Sequence, residues 1–107
     1  MFFTYRQNNS GGHFIENDKM GVFTIIEADN ARDANHKAES LDMVFDGVSK
    51  DIDCECCGDR WSKADDRDGN TVPTIYGKPY TGTDGLYHSE YGDSSVVIHT
   101  KGGNNED

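Results

Sequence analysis

Long apolar runs are missing from the sequence. No stretch of its 107 residues approaches the ~18 consecutive apolar residues of a membrane-spanning helix. The aromatic segment at residues 1–6 is too short for the apolar part of a signal peptide, and no basic run precedes it. We therefore expect no membrane association and a location in the cytosol where the protein is made.

Basic residues are also few. Ten Lys and Arg face twenty Asp and Glu, which gives a formal net charge of −10 at pH 7. Because this charge repels the phosphates of nucleic acids, direct DNA or RNA binding is not expected. The excess of acidic residues permits binding of basic partners or cations. Solubility alone also explains such an excess.

Core-forming residues are limited, because only 34% of the sequence is hydrophobic. Most of the aromatic residues nevertheless lie in well-patterned segments, which disordered chains lack. The length suits one domain, since two halves would each be too small to bury a core. We expect a single α+β domain over residues 1–100 and a flexible, polar tail at 101–107.

Local patterns predict the main elements. Two β-prone segments at 2–7 and 22–27 are expected to pair antiparallel. A helix is predicted from Asn30 to Leu41, with Asn30 as its N-cap and an apolar stripe of Ala31, Ala34, Ala38 and Leu41. Pro73 favours an edge strand at 72–77, and the β-branched run at 96–100 favours a final strand. The predicted fold is a small antiparallel sheet with one main helix packed on a face, plus a cysteine-containing loop.

All three cysteines lie within four residues. Cys54 and Cys57 have C-x-x-C spacing and are followed by Gly58, the form of a metal knuckle in which two thiolates grip one tetrahedral ion. Cys56 could be a third ligand of a structural zinc, and His88, His99, His13 or His36 could supply others. The favoured interpretation is nevertheless no cofactor, with reduced thiols packed beside Trp61. The flanking acids should raise the thiol pKa values, which argues against redox catalysis.

A polar loop follows the first predicted strand. Its side-chain amides, hydroxyl and glycine N–H groups are of the kind that hold a phosphate or a small nucleotide, and its residues are Gln7, Asn8, Asn9, Ser10, Gly11 and Gly12. The alternative is an ordinary connection made of turn residues. Arg60 and Trp61 form a candidate partner-binding pair, although a tryptophan is more often part of the core.

Four segments together resemble a family of small tailed-bacteriophage proteins with no established function. They are the sequence FFTYRQNNSGG at 2–12, the sequence IEAD at 26–29 before the Ala-rich helix, the sequence FDG at 45–47, and the block at 53–61. The resemblance implies a viral protein that acts in the cytoplasm of an infected bacterium. It implies no reaction and no catalytic residues.

These observations lead to a functional hypothesis. We expect a non-enzymatic accessory protein that binds a host component, such as a defence or host-takeover protein. The alternatives are sequestration of a nucleotide-like ligand through residues 8–12, a zinc-dependent enzyme, and a minor virion component. The sequence also leaves open whether the protein forms a homodimer.

Overall fold

The computed structural model describes residues 1–81, 85–89 and 92–101. In chain order its elements are β1 (Phe2–Arg6), β2 (Phe23–Glu27), α1 (Ala31–Ser40), β3 (Thr74–Ile75), β4 (Lys78–Pro79), β5 (Leu86–Ser89) and β6 (Gly92–His99). The predicted tail lies outside the described residues except for Lys101. The backbone N–H of Lys101 donates to Glu27 Oε1 over 2.8 Å, and its side chain pairs with Asp29.

The main sheet has the strand order β1-β2-β6-β5. The α+β class is confirmed, and so is the antiparallel pairing of β1 with β2. The sheet is mixed rather than wholly antiparallel, because β6 joins β2 in parallel while β5 and β6 form an antiparallel hairpin. Parallel neighbours need a long crossover connection, and here the chain between β2 and β6 contains α1.

Strand β2 is the centre of the molecule. Its residues Phe23 to Ile26 are all buried, since the strand has a neighbour on each side and a covering layer on each face. Ile26 belongs to the apolar cluster beneath α1, whereas Phe23 and Ile25 belong to a second cluster on the other face.

Helix α1 covers one face of the sheet as predicted. The Asn30 side chain accepts a hydrogen bond from the N–H of Asp33 at 2.8 Å, and Ala31, Ala34 and Ala38 are buried. Asp66, from the acidic loop at 65–70, accepts from the N–H of Ala31 at 2.8 Å. This acidic loop therefore satisfies a donor at the first turn of the helix.

A short hairpin of β3 and β4 covers the opposite face. The strand predicted at 72–77 is reduced to Thr74–Ile75, which pairs with Lys78–Pro79 in a separate two-stranded sheet and not at an edge of the main one. The turn between the two strands consists of Tyr76 and Gly77, with φ angles of 53° and 77°.

None of the helices in the described ranges has the length and apolarity that crossing a membrane requires.

The helix face gives the first test. Ala34 is 0% exposed, so Ala34→Glu should lower the free energy of unfolding by about 3 kcal/mol or more, because it buries an unpaired charge. Arg32→Glu, at an exposed position of the same helix, should change it by less than about 0.5 kcal/mol. Urea unfolding of both variants provides the measurement, and equal stabilities would refute the assigned face.

Candidate functional site

The three thiols of the cysteine loop lie together. The Sγ atoms of Cys54 and Cys56 are 2.8 Å apart, those of Cys56 and Cys57 are 3.7 Å apart, and all three lie within 4.8 Å of one another. Cys54 is half-buried, whereas Cys56 and Cys57 are exposed. The cluster therefore lies on the surface of the protein, with Cys54 on its inner side.

The local backbone folds as a knuckle. The N–H groups of Cys57 and Gly58 both donate to the carbonyl of Cys54, at 3.2 and 3.0 Å. Gly58 has a φ of 89°, which a residue with a Cβ adopts only with strain. The thiolate is the form of cysteine that binds metal.

The thiols have different acidities. Donation by the Cys56 thiol, and then by the backbone N–H groups of Cys56 and Cys57, lowers the pKa of Cys54 to about 7. The same contact with Cys54, followed by that with Cys57, raises the pKa of Cys56 to about 11. The expectation that the acidic flank would raise the thiol pKa is therefore wrong for Cys54.

The flanking acids have other partners. One oxygen of Asp53 accepts from the backbone N–H of Arg60 at 2.8 Å, and Asp59 accepts from the N–H of Val48 at 2.8 Å. Gly47 makes room for the first of these carboxylates, because a Cβ at position 47 would lie 1.9 Å from Asp53 Oδ2. Asp53 and Asp59, which flank the cysteines in the sequence, therefore stabilise the loop by binding its backbone.

The loop at 7–12 supports the cysteine knuckle. Ser10 Oγ accepts from the N–H of Cys54 at 2.8 Å. The Asn8 amide donates to the carbonyls of Cys57 and Asp59, at 2.7 and 3.2 Å. The residues predicted to hold a nucleotide and those predicted to hold a metal are therefore neighbours, and Asn8 and Ser10 bind the chain itself.

Buried Arg60 lies beneath both loops. Its guanidinium donates to Gln7 Oε1 and the His13 carbonyl, each at 2.8 Å, and to the Ser10 carbonyl at 2.7 Å. The Asp53 carboxylate completes the surroundings, with 3.8 Å between Asp53 Oδ1 and Arg60 Nε. The planar fork of an arginine suits several acceptors at fixed angles, which the ammonium group of a lysine cannot match.

Gln7 extends this network to the next loop. Its side chain accepts from the N–H of Ile15 at 2.6 Å and donates to the carbonyls of Ile15 and Gly21, at 2.9 and 3.0 Å. Asn9 is exposed, and the carbonyl of Asn9 accepts from the N–H of Gly12 at 2.8 Å. Gly11 and Gly12 have φ angles of 76° and 83° in a short turn.

The structure places the other predicted site residues elsewhere. Arg60 and Trp61 are only 7% and 2% exposed, so their side chains contribute to the interior and not to the surface of the isolated chain. His88 lies on β5, directly opposite Asp93 on β6, and its Nδ1 is 2.7 Å from Asp93 Oδ1. Among the described residues, the group of candidate metal ligands contains the three cysteines and not His88.

A groove lined by aromatic rings is the feature that the sequence patterns missed. The rings of Phe23, Tyr76 and Tyr87 are mutually tilted, with centroids 5.4–6.0 Å apart. They line an open cavity of about 820 Å³ together with Arg6 and Asp93. Arg6 donates from Nε to the Tyr76 hydroxyl at 2.9 Å. The Tyr76-Gly77 dipeptide was the only local sign of the turn that brings Tyr76 here.

The fold and the site define a small α+β protein with a three-cysteine loop. The chain belongs to the family described as Domain of unknown function (DUF7296), whose model matches residues 1–107. Comparison with curated proteins finds no match, and comparison with solved structures finds none.

The buried guanidinium gives a second test. Arg60→Lys should lower the free energy of unfolding by about 3 kcal/mol, because the ammonium cannot serve all of the acceptors that it leaves buried. Arg67→Lys is the matched control, since the Arg67 side chain is 89% exposed, and it should cost less than about 0.5 kcal/mol. If denaturant unfolding shows equal effects for the two, Arg60 does not organise these loops.

Thiol acidity gives a third test, made on reduced, metal-free protein. Cys54 should react with iodoacetamide at the lowest pH, with a midpoint near its pKa of about 7, because the thiolate is the reacting form. Cys56 should react only at much higher pH. Peptide mass spectrometry after brief alkylation across a pH series measures the order, and simultaneous reaction of Cys54 and Cys56 would contradict it.

Proposed function

We propose that the protein is a non-enzymatic binding protein that engages a partner protein through the aromatic groove. The resemblance to phage proteins favours a component of a bacterial host, met in the host cytoplasm, as the partner. The observation that carries the proposal is the position of Tyr76, a residue that is 65% exposed and lines the groove.

Tyr76 is an unfavourable residue for its turn. Two-residue hairpin turns with positive φ at both positions favour Asn-Gly, and a bulky residue in the left-handed region costs roughly 1–2 kcal/mol. The Tyr76 ring contacts Phe23 and Tyr87 but remains mostly exposed. A strained, exposed aromatic residue is typical of a binding surface, where tyrosine provides contact area with little loss of entropy.

Charge favours a basic partner. The net charge of −10 attracts basic proteins at long range and repels the phosphates of a nucleotide. Inside the groove Asp93 contributes a carboxylate, whose Oδ1 lies 2.7 Å from His88 Nδ1, and the faces of the aromatic rings attract cationic groups. A segment with an apolar anchor and a lysine or arginine therefore matches the groove.

We also propose zinc as a structural cofactor of the cysteine loop. Tetrahedral zinc with Zn–S bonds of ~2.3 Å has sulfurs about 3.8 Å apart, and the Cys56–Cys57 distance of 3.7 Å is close to this value. The Cys54–Cys56 distance of 2.8 Å must widen by about an ångström to admit an ion. Such a movement is small for a cluster with two exposed side chains.

Partner binding is tested with Tyr76→Asn. Asparagine suits the turn, so the variant should remain within about 1 kcal/mol of the original in stability while losing the exposed ring. Affinity purification from bacterial lysate should enrich a partner on the original protein but not on this variant. Ile52→Ala removes another exposed apolar side chain outside the groove and should retain the partner.

The direct interaction is then measured with the purified partner by calorimetry. At least a tenfold loss of affinity in Tyr76→Asn, with Ile52→Ala unchanged, supports the groove. Equal affinities for the two variants would refute it. A melting-temperature shift with a nucleotide, lost in Asn8→Ala, would instead favour a ligand at residues 8–12.

Zinc is tested by metal analysis of protein purified without chelator. We expect about one zinc ion per chain, and removal by a chelator should lower stability by several kcal/mol, because binding energy becomes folding energy. Cys57→Ser should lose the metal, whereas His88→Ala should keep it. Absence of metal together with three freely titrating thiols would refute the zinc proposal.

A further inference from the structure

We propose that the three thiols form an open metal site, in which one chain supplies three thiolates and a ligand from outside the chain takes the fourth position. The inference rests on the proposed binding of a metal ion and goes beyond it, because a structural zinc normally has four ligands from the protein.

The positions of the three sulfurs favour an open site. Cys54, Cys56 and Cys57 come from a single turn and lie within 4.8 Å of one another, so they occupy the same side of any ion that they share. The protein lies beneath the inner side of the cluster, where Ser10 binds the N–H of Cys54. With Cys56 and Cys57 exposed, the fourth corner of a tetrahedron points away from the loop towards solvent.

The nearby histidine and carboxylate groups have other partners. Within the part of the chain that the structure describes, no histidine or carboxylate joins the thiols in the cluster. Asp53 is directed to the N–H of Arg60, and Asp59 to the N–H of Val48. The Nε2 atom of His13 lies 3.5 Å from the Arg60 guanidinium.

The chemistry of thiolates determines which metal ion and which fourth ligand fit the site. Soft thiolates select zinc, copper(I) and similar thiophilic ions. Three thiolates more than neutralise a divalent ion, so the site repels an anion and acidifies a bound water less than a site of neutral ligands does. A neutral imidazole is therefore the preferred fourth ligand, and a histidine of another protein carries that group.

The test uses the full chain loaded with Co²⁺, whose visible absorption reports the number and kind of ligands. Addition of imidazole should change the spectrum saturably, with one Co²⁺ per chain and a monomeric mass by native mass spectrometry. Cys56→Ser should weaken Co²⁺ binding roughly tenfold or more, because even loss of an outer-shell partner weakens metal sites by about that factor. Glu55→Gln, between two of the cysteines, is the control and should leave binding and the imidazole response unchanged.

The outcomes separate the two proposals. Co²⁺ binding with no response to imidazole indicates a closed site and overturns the open site alone. One ion shared by two chains overturns it as well, since a second copy then completes the coordination. Absence of Co²⁺ binding overturns both the open site and the metal proposal on which it rests. If His88→Ala removed Co²⁺ binding, the fourth ligand would belong to the chain and the open site would be refuted.

Discussion

The buried guanidinium of Arg60 is the interaction on which the surface features of the protein depend. It joins segments that are far apart in the sequence. Arg60 binds Gln7 and Ser10 of the loop after β1, and it also lies against Asp53 of the cysteine loop. A buried charge is tolerated only when its donors are satisfied. Loss of any one acceptor therefore weakens the hydrogen-bond network of Arg60. The loops at 7–21 and 47–60 consequently depend on each other for their structure.

The Arg60 network explains how a small fold holds an exposed cluster of thiols in place. Exposed loops usually move, but here Ser10 and Asn8 hold the ends of the knuckle, and Arg60 holds the backbone that carries them. The conformational entropy of the loop is therefore lost when the protein folds. The aromatic groove, on the face covered by β3 and β4, meets this network at one point, because Phe14 lines the groove and its neighbours His13 and Ile15 are bound by Arg60 and Gln7.

Local patterns in the sequence predicted local structure well. The cap and alanine stripe of α1 were correct because helix signals lie within a few residues of one another, and the pairing of β1 with β2 was correct because both have strong β-propensity. The parallel pairing of β6 with β2 was not predictable, since alternation carries no direction. The acidity of Cys54 was misjudged because sequence proximity of acids says nothing about where hydrogen bonds point. Tyr76 was missed because its position in the groove depends on a backbone angle.

The Arg60 network builds the cysteine loop before any metal binds. Amide hydrogen exchange of the metal-free protein, measured residue by residue with NMR, tests it most directly. We expect the N–H groups of Cys54 and Gly58, which donate to Ser10 Oγ and to the Cys54 carbonyl, to be protected nearly as well as the amides of β2. Arg60→Lys should remove this protection. Exchange of these amides at the rate of an unfolded chain until metal is added would contradict it.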